Sequence, residues 1–525
     1  MKTKFAIIAI FIAVTGSVLG QPAGGLDVTF NGTGKVVYDK DNMDVYGDVK
    51  VQPDGRIVAV GTSYDIMYAG TIEVTRYMPD GTFDPSFGTG GHFTYNPNIE
   101  TGAYKCLIRD DGKILVAGYT TDYANYWMVL IQLDANGNPD PTFGNNGIVQ
   151  QDISAGEEIL YALALQPDGK ILAAGYAQNT DYRNVPVLLR FSDAGILDTS
   201  FGTNGVAEVA VTESDNDFSA VTVQSDGKIV AAGHISNGMS WFSLLIARFD
   251  TNGMADPSYG TAGVVNMNLN NVDDEFYDIQ LTDTDEALLT GFTVTQGDLF
   301  YHMLLMKFDI NGQPVADFGT GGVVTAGEVP YSFGDAMTLQ TDGKILVAGS
   351  TGDLAPSNND WALWRFNKDG SPDADFGTNG VVTTDFFGNP DEALGIALYE
   401  DKIIVAGKTR NADSKLDFAV ARYLNDVGVS VTELENIKDL TVSPNPVKRS
   451  GTVNFSYELK RSENVSIELV SITGTTVLAL PACQQSAGVH SNQISLPSGI
   501  TSGVWFVRIR GSHTLNQATR LIVID

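Results

Sequence analysis

Leu339-Gln340-Thr341-Asp342-Gly343-Lys344-Ile345-Leu346-Val347-Ala348-Gly349 is the stretch that decides the fold of this chain. An apolar strand runs into an Asp-Gly turn and out along a second apolar strand, which stops at a glycine. Asp-Gly between two apolar runs is a strong hairpin signal and predicts a type I′ turn, with φ positive at both central residues. The closing glycine recurs at Gly61, Gly118, Gly175, Gly233, Gly291, Gly349 and Gly407, every 57 or 58 residues. A second landmark keeps the same period: Phe30, Phe87, Phe143, Phe201, Tyr259, Phe318 and Phe376, mostly followed by Gly. Two independent markers with one period define seven repeats.

Each repeat contains four strand-like runs. In the sixth they are Gly322-Val323-Val324-Thr325, the hairpin arms Ala336 to Gln340 and Lys344 to Ala348, and Trp361-Ala362-Leu363-Trp364-Arg365-Phe366. Four antiparallel strands repeated in series predict a β-propeller. The expected fold is all-β: a seven-bladed β-propeller of four-stranded blades over residues 21–424, a linker at 425–436, and a small C-terminal β-sandwich at 437–525. The fourth run is expected at the outer edge, because Pro186 of the third repeat has no N–H to give a ladder partner. The seventh repeat lacks the turn-rich segment that links each repeat to the next. That segment stands instead near the N-terminus as Leu26-Asp27-Val28-Thr29-Phe30. The two ends of the repeat region should therefore complete one blade together and leave no open edge.

Lys+Arg 32 against Asp+Glu 63 gives a formal net charge of −31. Such a surface repels nucleic acid and anionic lipid, and it favours solubility and cation binding. Lys2 and Lys4 precede an apolar run from Phe5 to Val14, and Val18-Leu19-Gly20 offers a cleavage position, so residues 1–20 read as a secretory signal peptide. No later stretch reaches the roughly 18 apolar residues of a membrane-spanning helix. Cys106 and Cys483 fall in different domains and make no disulfide framework; both are expected to be buried, unpaired thiols.

Over roughly residues 26–424 the repeats resemble the Delta-60 (DUF5122-type) β-propeller family. The motifs that carry the resemblance are Gln166-Pro167-Asp168-Gly169-Lys170-Ile171 and Leu197-Asp198-Thr199-Ser200-Phe201-Gly202. The fifth repeat departs, with Thr282-Asp283-Thr284-Asp285-Glu286-Ala287 where Asp-Gly-Lys is expected, and the seventh is one residue short at Glu400-Asp401-Lys402. The resemblance implies the fold and no defined activity.

After Asn425 the period stops. Short alternating strands follow, among them Val453 to Tyr457, Val465 to Leu469 and Val504 to Ile509, which predict the small sandwich. Ser443-Pro444-Asn445-Pro446, Gly474, and Ser498-Gly499 ahead of the Val504 strand resemble the type A C-terminal sorting domain of the type IX secretion system. Trp505 stands where that family usually carries Tyr. The resemblance implies the type IX machinery as a partner of residues 437–525, and delivery through the periplasm to the outer surface or the medium. The alternative is an immunoglobulin-like adhesion module.

No catalytic residue is assigned. The five histidines, His92, His234, His302, His490 and His513, show no metal-ligand spacing, and neither a Gly-x-Ser-x-Gly elbow nor a phosphate loop occurs. Arg76, Arg190, Arg248, Lys307, Arg365 and Arg422, with Gln132 in the second repeat, recur at one strand position. They read as scaffold, paired with the linking-segment residues Asp84, Asp140, Asp198, Asp256, Asp317 and Asp375. Asp134-Ala135-Asn136-Gly137 resembles half of a calcium loop without its distal Glu and reads as turn chemistry.

What differs between repeats is more informative. On one face emerge acidic loops and aromatic loops of variable length, and these give a candidate binding face: Tyr64, Tyr123, Glu157, Tyr182, Asp217, Trp241, Asp274, Glu275, Tyr301 and Asp391. Aromatic rings stack on sugars or anchor proteins, and carboxylates can hold Ca²⁺, the one cofactor the pattern admits. The plain alternative is a set of solvated loops with aromatics capping blade ends. The leading functional reading is an exported propeller, surface-displayed or released, that binds glycan or protein. The runner-up is a secreted polysaccharide hydrolase or lyase with its site in the central channel, around Asp283, Asp285 or His302. The third is a structural envelope protein.

Overall fold

The computed structural model describes residues 23–425 and 437–525, apart from short segments at 98–99, 211–214, 237–240, 270–271, 296, 298–299, 328–329, 354–357, 450, 460–462, 472–475, 498 and 512–515. The signal-peptide reading lies outside the described residues, as does nearly all of the expected linker. The chain divides into a repeat body, up to Asp426, and a tail body from Val427. All regular structure among the described residues is β-strand, and no helix is long and apolar enough to cross a membrane.

The five hairpins that carry Asp-Gly turn there, but not as a type I′ turn. In the first repeat Gly55 N–H donates to the Gln52 carbonyl (2.9 Å) and Gln52 N–H to the Arg56 carbonyl (2.8 Å). Only Gly55 has positive φ, +85°. Pro53 presets the first central residue and the Asp54 carboxylate accepts the Arg56 N–H (3.1 Å), which makes a type I turn followed by a left-handed glycine.

The four runs of one repeat do not make one sheet. Val323–Ala326, the short run after the sixth Phe-Gly, pairs antiparallel with Tyr301–Phe308 of the fifth repeat. The fifth sheet thus runs outward as Asp274–Leu281, Ala287–Val294, Tyr301–Phe308 and Val323–Ala326. The cause is the linking segment, which folds back on the strand it has just left. In the first sheet Asp84 N–H donates to the Arg76 carbonyl and Arg76 N–H to the Gly91 carbonyl, both at 2.9 Å. The strand that carries Pro186, Asn184–Phe191, is consequently third rather than outermost. Its proline is tolerated because the outer strand, Val206–Glu208, pairs only with Val187 to Leu189.

The seventh sheet takes its outer strand from the other end of the chain. Lys35–Tyr38 runs antiparallel to Leu416–Leu424, and Gly24 N–H donates to the Leu424 carbonyl (2.8 Å). The innermost strands touch in a closed cycle: Met43–Val51, Glu100–Ile108, Glu158–Leu165, Asp217–Val223, Asp274–Leu281, Tyr331–Leu339, Asp391–Tyr399, and back to the first. The apolar cores lie between successive sheets. Leu115 and Leu130 pack with Leu160 and Ile171, and the series closes where Ile57 and Ala59 pack with Ile404 and Val420.

One recurrent polar unit joins these layers. Arg248 Nε donates to Asp256 (3.0 Å), its Nη1 bonds the Ile310 carbonyl of the next repeat, and its guanidinium lies 4.6 Å over the Tyr259 ring. The same lock forms at Arg76 with Asp84 and Phe87, at Arg190 with Asp198 and Phe201, and at Arg422 with Asp27 and Phe30. Two expected pairs are corrected. Arg365 bonds Asp373 (2.7 Å), not Asp375, because the acceptor must stand eight residues on, as in the other repeats. In the fifth repeat Val315 occupies the acceptor position, so Lys307 turns from Asp317 to Glu286 (2.6 Å).

The tail body has two sheets. One orders Ile437–Ser443, Thr452–Leu459 and Gly488–Ser495; the other orders Val447–Lys448, Asn516–Ile524, Gly503–Gly511, Glu463–Ser471 and Thr476–Gln485. They enclose one core that includes Val453, Phe455, Val507, Ile509 and Leu521. Asn445 of Ser-Pro-Asn-Pro accepts the Ile522 N–H (2.8 Å), and Trp505 is buried with its Nε1 donating to the Thr501 carbonyl (3.0 Å). Both cysteines are free. Cys106 is buried as expected, whereas Cys483 sits on the edge strand Thr476–Gln485 and is exposed.

Replacing Arg248 by Ala strands the Asp256 carboxylate and should cost about 3 kcal/mol in guanidinium unfolding. Arg248→Ala combined with Asp256→Ala should cost less than the sum of the two single changes. Burial works to raise the Asp256 carboxyl, but the bonds from Ser258 and the charges of Arg248 and Lys228 outweigh it and hold it at about 2. An unfolded Asp titrates at about 3.9. The folded form therefore binds this proton less readily, so its share of stability is complete above about pH 4 and is lost as pH falls through about 2.

Candidate functional site

Every innermost strand carries a β-bulge, and every bulge faces the closing glycine of its own hairpin. Gly61 pairs with Tyr46, next to the slip at Gly47; Gly349 pairs with Gly334, next to the slip at Asp335. A Cβ on Gly61 would stand 1.9 Å from the Val45 carbonyl oxygen, and one on Gly349 the same distance from that of Phe333. Only glycine lets the bulged strand come this close. The extra residues are Gly47, Tyr104, Tyr161, Ser219, Tyr277, Asp335 and Leu394. The frame repeats; the inserted residue does not.

These residues and their neighbours form a band on the innermost strands. Tyr104 and Tyr161 meet edge to face with ring centres 4.9 Å apart, Tyr104 stacks with Tyr119 at 6.2 Å, and Tyr161 lies 6.0 Å from Tyr176. The Tyr119 hydroxyl donates to Glu100 (2.5 Å) and that of Tyr176 to Glu157 (3.3 Å). Farther round, His234 Nδ1 lies 3.4 Å from Asp217 and 3.7 Å from Glu275. Tyr277 stands beside Glu275 and Asp335, and Asp335 beside Glu392, which Lys408 holds at 2.8 Å. One residue past the bulges, Lys105 reaches within 3.6 Å of Asp278. The second and fifth sheets are not neighbours, so this pair spans the ring.

The band holds its protons tightly. Burial pushes the Glu275 carboxyl up, with Asp217 adding to the shift against His234. Burial also raises Asp217 against His234, and raises Asp335 well above the carboxylate range with help from Glu392. Carboxyls and phenols around aromatic walls set hydrogen-bond donors and acceptors side by side.

Of the residues singled out in the sequence, Tyr64, Glu157, Asp217 and Glu275 belong to this band, Tyr64 through its bond to Tyr119. Tyr123 and Tyr182 stand 56% and 79% exposed at the tips of neighbouring loops. Tyr68 and Tyr182 stand fourth in five-residue loops and Tyr123 second in a four-residue loop, at φ of +61°, +59° and +69°. Bulky side chains rarely accept that backbone. Trp241 and Tyr301 pack into an aromatic cluster with Phe292 and Phe333, which Tyr277 of the band joins at 5.8 Å from Phe292.

Asp274 and Asp391 are corrected: both are fully buried and do not face the solvent. Their Oδ2 atoms accept the N–H groups of Leu269 (2.7 Å) and Phe386 (2.9 Å), as Asp44 and Glu158 do for the loops before their own strands. A loop that doubles back beside a buried strand needs such an acceptor. Two groups of three carboxylates, Asp39 with Asp44 and Asp417, and Asp360 with Asp385 and Asp391, are close enough to share a cation.

The fifth repeat, whose departures invited a catalytic reading, uses them as joints. Asp285 takes the place of the turn glycine at φ +61° and accepts the Ser225 N–H (2.9 Å) of the preceding repeat. Glu286 holds Lys307, and His302 Nδ1 donates to the Gly327 carbonyl (3.0 Å). Sequence reading missed Tyr104, Tyr161, His234, Tyr277 and Asp335. A signal existed: the bulged residue stands fourteen positions before the closing glycine, thirteen in the seventh repeat, and it is the position where the inner strands disagree.

A periodic all-β body followed by an independent tail defines a repeat propeller fused to a C-terminal signal domain. The family described as "Domain of unknown function (DUF5122) beta-propeller" matches residues 52–87, 109–143, 166–201, 224–259, 340–376 and 401–426, and the "Secretion system C-terminal sorting domain" matches 441–525. The repeats are therefore DUF5122 propeller repeats, and the tail is a sorting domain that directs the chain through the type IX secretion system to the cell surface or beyond. No curated protein matches this chain. Among solved structures, a fungal alcohol oxidase of the AA5 family in complex with copper is 13% identical, covering 94% of this chain and 98% of its own, at TM-score 0.44. A PL25 ulvan lyase is 12% identical, covering 74% and 95%, at 0.42. PorZ, a surface component of the type IX secretion system of Porphyromonas gingivalis, is 11% identical, covering 91% and 70%, at 0.28. At such scores these likenesses assign no activity.

Asp274→Ala should lower stability by about 1–3 kcal/mol in denaturant, because the Leu269 N–H loses its acceptor. Tyr123→Ala should leave stability within about 0.5 kcal/mol of the parent, since its side chain lies on the surface.

Proposed function

We propose that the repeat body is a seven-bladed β-propeller whose inner band and flanking tyrosine loops bind a glycan chain, and that the tail body is a β-sandwich. The closed cycle of innermost strands supports the seven blades, and two sheets around one core support the sandwich. The observation that carries the binding reading is the run of exposed tyrosines, Tyr68, Tyr123 and Tyr182, in backbone that glycine or asparagine adopts at lower cost. Their side chains stand outside the core. Tyr123 reaches Glu100, Glu100 accepts from Tyr119, and Tyr119 stacks on Tyr104. A continuous aromatic and hydroxyl path thus leads from the loop tips to the inner band, which suits a linear chain of sugar rings.

A second reading rests on one arrangement. His234 lies between Asp217 and Glu275, and the raised Glu275 keeps a proton that it can donate while the imidazole takes one. The same glycan would then be cleaved as well as held.

On a glycan array the purified chain should bind, and Tyr123→Ala with Tyr182→Ala should weaken binding about tenfold or more. Absence of any bound glycan overturns the glycan reading and leaves a protein as the ligand. Incubation of a bound glycan with the chain separates the two readings: shorter products that disappear in His234→Ala identify an enzyme, and an intact glycan identifies a binding module. Deleting residues 437–525 should hold the protein in the periplasm; normal delivery would remove the tail's sorting role.

A further inference from the structure

The innermost strands bring equivalent positions to one level, because each enters from the loop after an outer strand and is bulged opposite its closing glycine. Counted from the bulge, Glu100 and Glu157 stand four residues before it, and Asp217, Glu275 and Glu392 two before it. These two levels and the bulged residues make up the inner band. The level one residue past the bulge is built differently. Ala162, Ala220, Ala336 and Gly395 hold it in four repeats, and Asp48, Lys105 and Asp278 in the other three.

Small residues here let neighbouring strands close in. A Cβ on Gly395 would stand 2.8 Å from Asp48 Cα, and one on Gly47, a residue before Asp48, 2.8 Å from the Tyr104 carbonyl oxygen. The charged residues of this level are fixed in place. Asp48 Oδ2 accepts the Cys106 N–H (3.1 Å) of the next repeat, and Asp278 Oδ2 the Met337 N–H (2.8 Å) of the next. Lys50 Nζ holds Asp48 at 2.7 Å. Lys105 then reaches from the second innermost strand to the fifth, where its ammonium lies 3.6 Å from Asp278. Burial works against that charge, but Asp278 and Asp48 outweigh it and raise the pKa above the usual lysine range. The ammonium is thus kept charged and kept across the ring.

We propose that this level is the floor of a blind pocket, walled by the inner band and flanked at its mouth by Tyr123 and Tyr182, so that a glycan is bound by one end. The inference rests on the glycan reading above. One side chain and one ion contact span the space that the innermost strands enclose, and no sugar ring passes beyond them. A chain that follows the path from Tyr123 through Glu100 and Tyr119 to Tyr104 stops at Lys105, the next residue along the strand. There its terminal sugar meets an ammonium with three donors, beside the Tyr104 and Tyr161 rings. The interior of a longer chain is refused, because the part that continues would have to pass the floor; selectivity comes from the obstruction rather than from an added contact. Lys105 is the residue that sets this limit.

Counting proteins per glycan chain tests it. The linear glycan that the purified protein binds most tightly on an array is offered as a short oligosaccharide and as the long polymer, with protein in excess, and the complexes are sized by light scattering. The expected result is one protein per glycan chain at both lengths, with equal molar Kd. Several copies along one polymer overturn end-on binding alone, whereas absence of any bound glycan removes the glycan reading and this inference together. Lys105→Met combined with Asp278→Asn keeps an acceptor for the Met337 N–H and leaves Asp48 its partner Lys50. With unchanged circular dichroism, that variant should bind the oligosaccharide about tenfold more weakly; unchanged affinity overturns Lys105 as the floor. Where the glycan is also cleaved, polymer size should fall slowly while one short product accumulates, and a rapid fall in polymer size overturns the end-on mode.

Discussion

An arginine clamped between a carboxylate and an aromatic face sets the geometry of the repeat body. At Arg248 one side chain ties its strand to the linking segment through Asp256, covers the Tyr259 ring, and reaches a carbonyl of the next repeat. Because the same group bonds within a sheet and between sheets, it fixes the angle at which each apolar face meets its neighbour. The second repeat keeps the bridge with a neutral Gln132 bonded to Asp140 and Arg109. The fifth gives it up: Val315 stands at the acceptor position, and Lys307 pairs with Glu286 of its own hairpin instead.

The glycine opposite each bulge separates frame from content. It supplies no contact of its own; its missing Cβ admits a strand with one residue too many. That extra residue is free to be Tyr, Ser, Asp, Leu or Gly without disturbing the pairing on either side. The chemistry of the inner band therefore changes from one arc to the next, aromatic around Tyr104 and Tyr161, acidic around Glu275 and Asp335, on a scaffold that stays constant.

The period, the hairpins and the tail were legible because their signals are local: Asp-Gly, alternating apolar residues, and the end of the repeat after Asn425. The phase of the sheets was not. Val323–Ala326 follows the Phe-Gly landmark and looks like a beginning, yet it completes the sheet before it, since the linking segment turns back through bonds that no local pattern reveals. Candidate residues divided on the same line. Asp217 and Glu275 stand beside His234 in the inner band, while Asp274 and Asp391, acidic and adjacent to loops, turn inward to cap backbone N–H groups. A carboxylate at the mouth of a strand reads identically in either role, and only the burial of its neighbours decides.

The outer strand borrowed from the N-terminus gives the chain an order of assembly. Arg422 and Asp27 are 395 residues apart, so the seventh sheet cannot acquire its edge until the whole repeat region exists. Loop-closure entropy grows only logarithmically with length, but contacts of such separation are the slowest to form. Until they form, Leu416–Leu424 offers an unpaired ladder to any passing strand, including the same strand of another copy. The seam is thus the joint whose two sides lie farthest apart in the chain, and until it closes it is the place where neighbouring molecules can exchange partners.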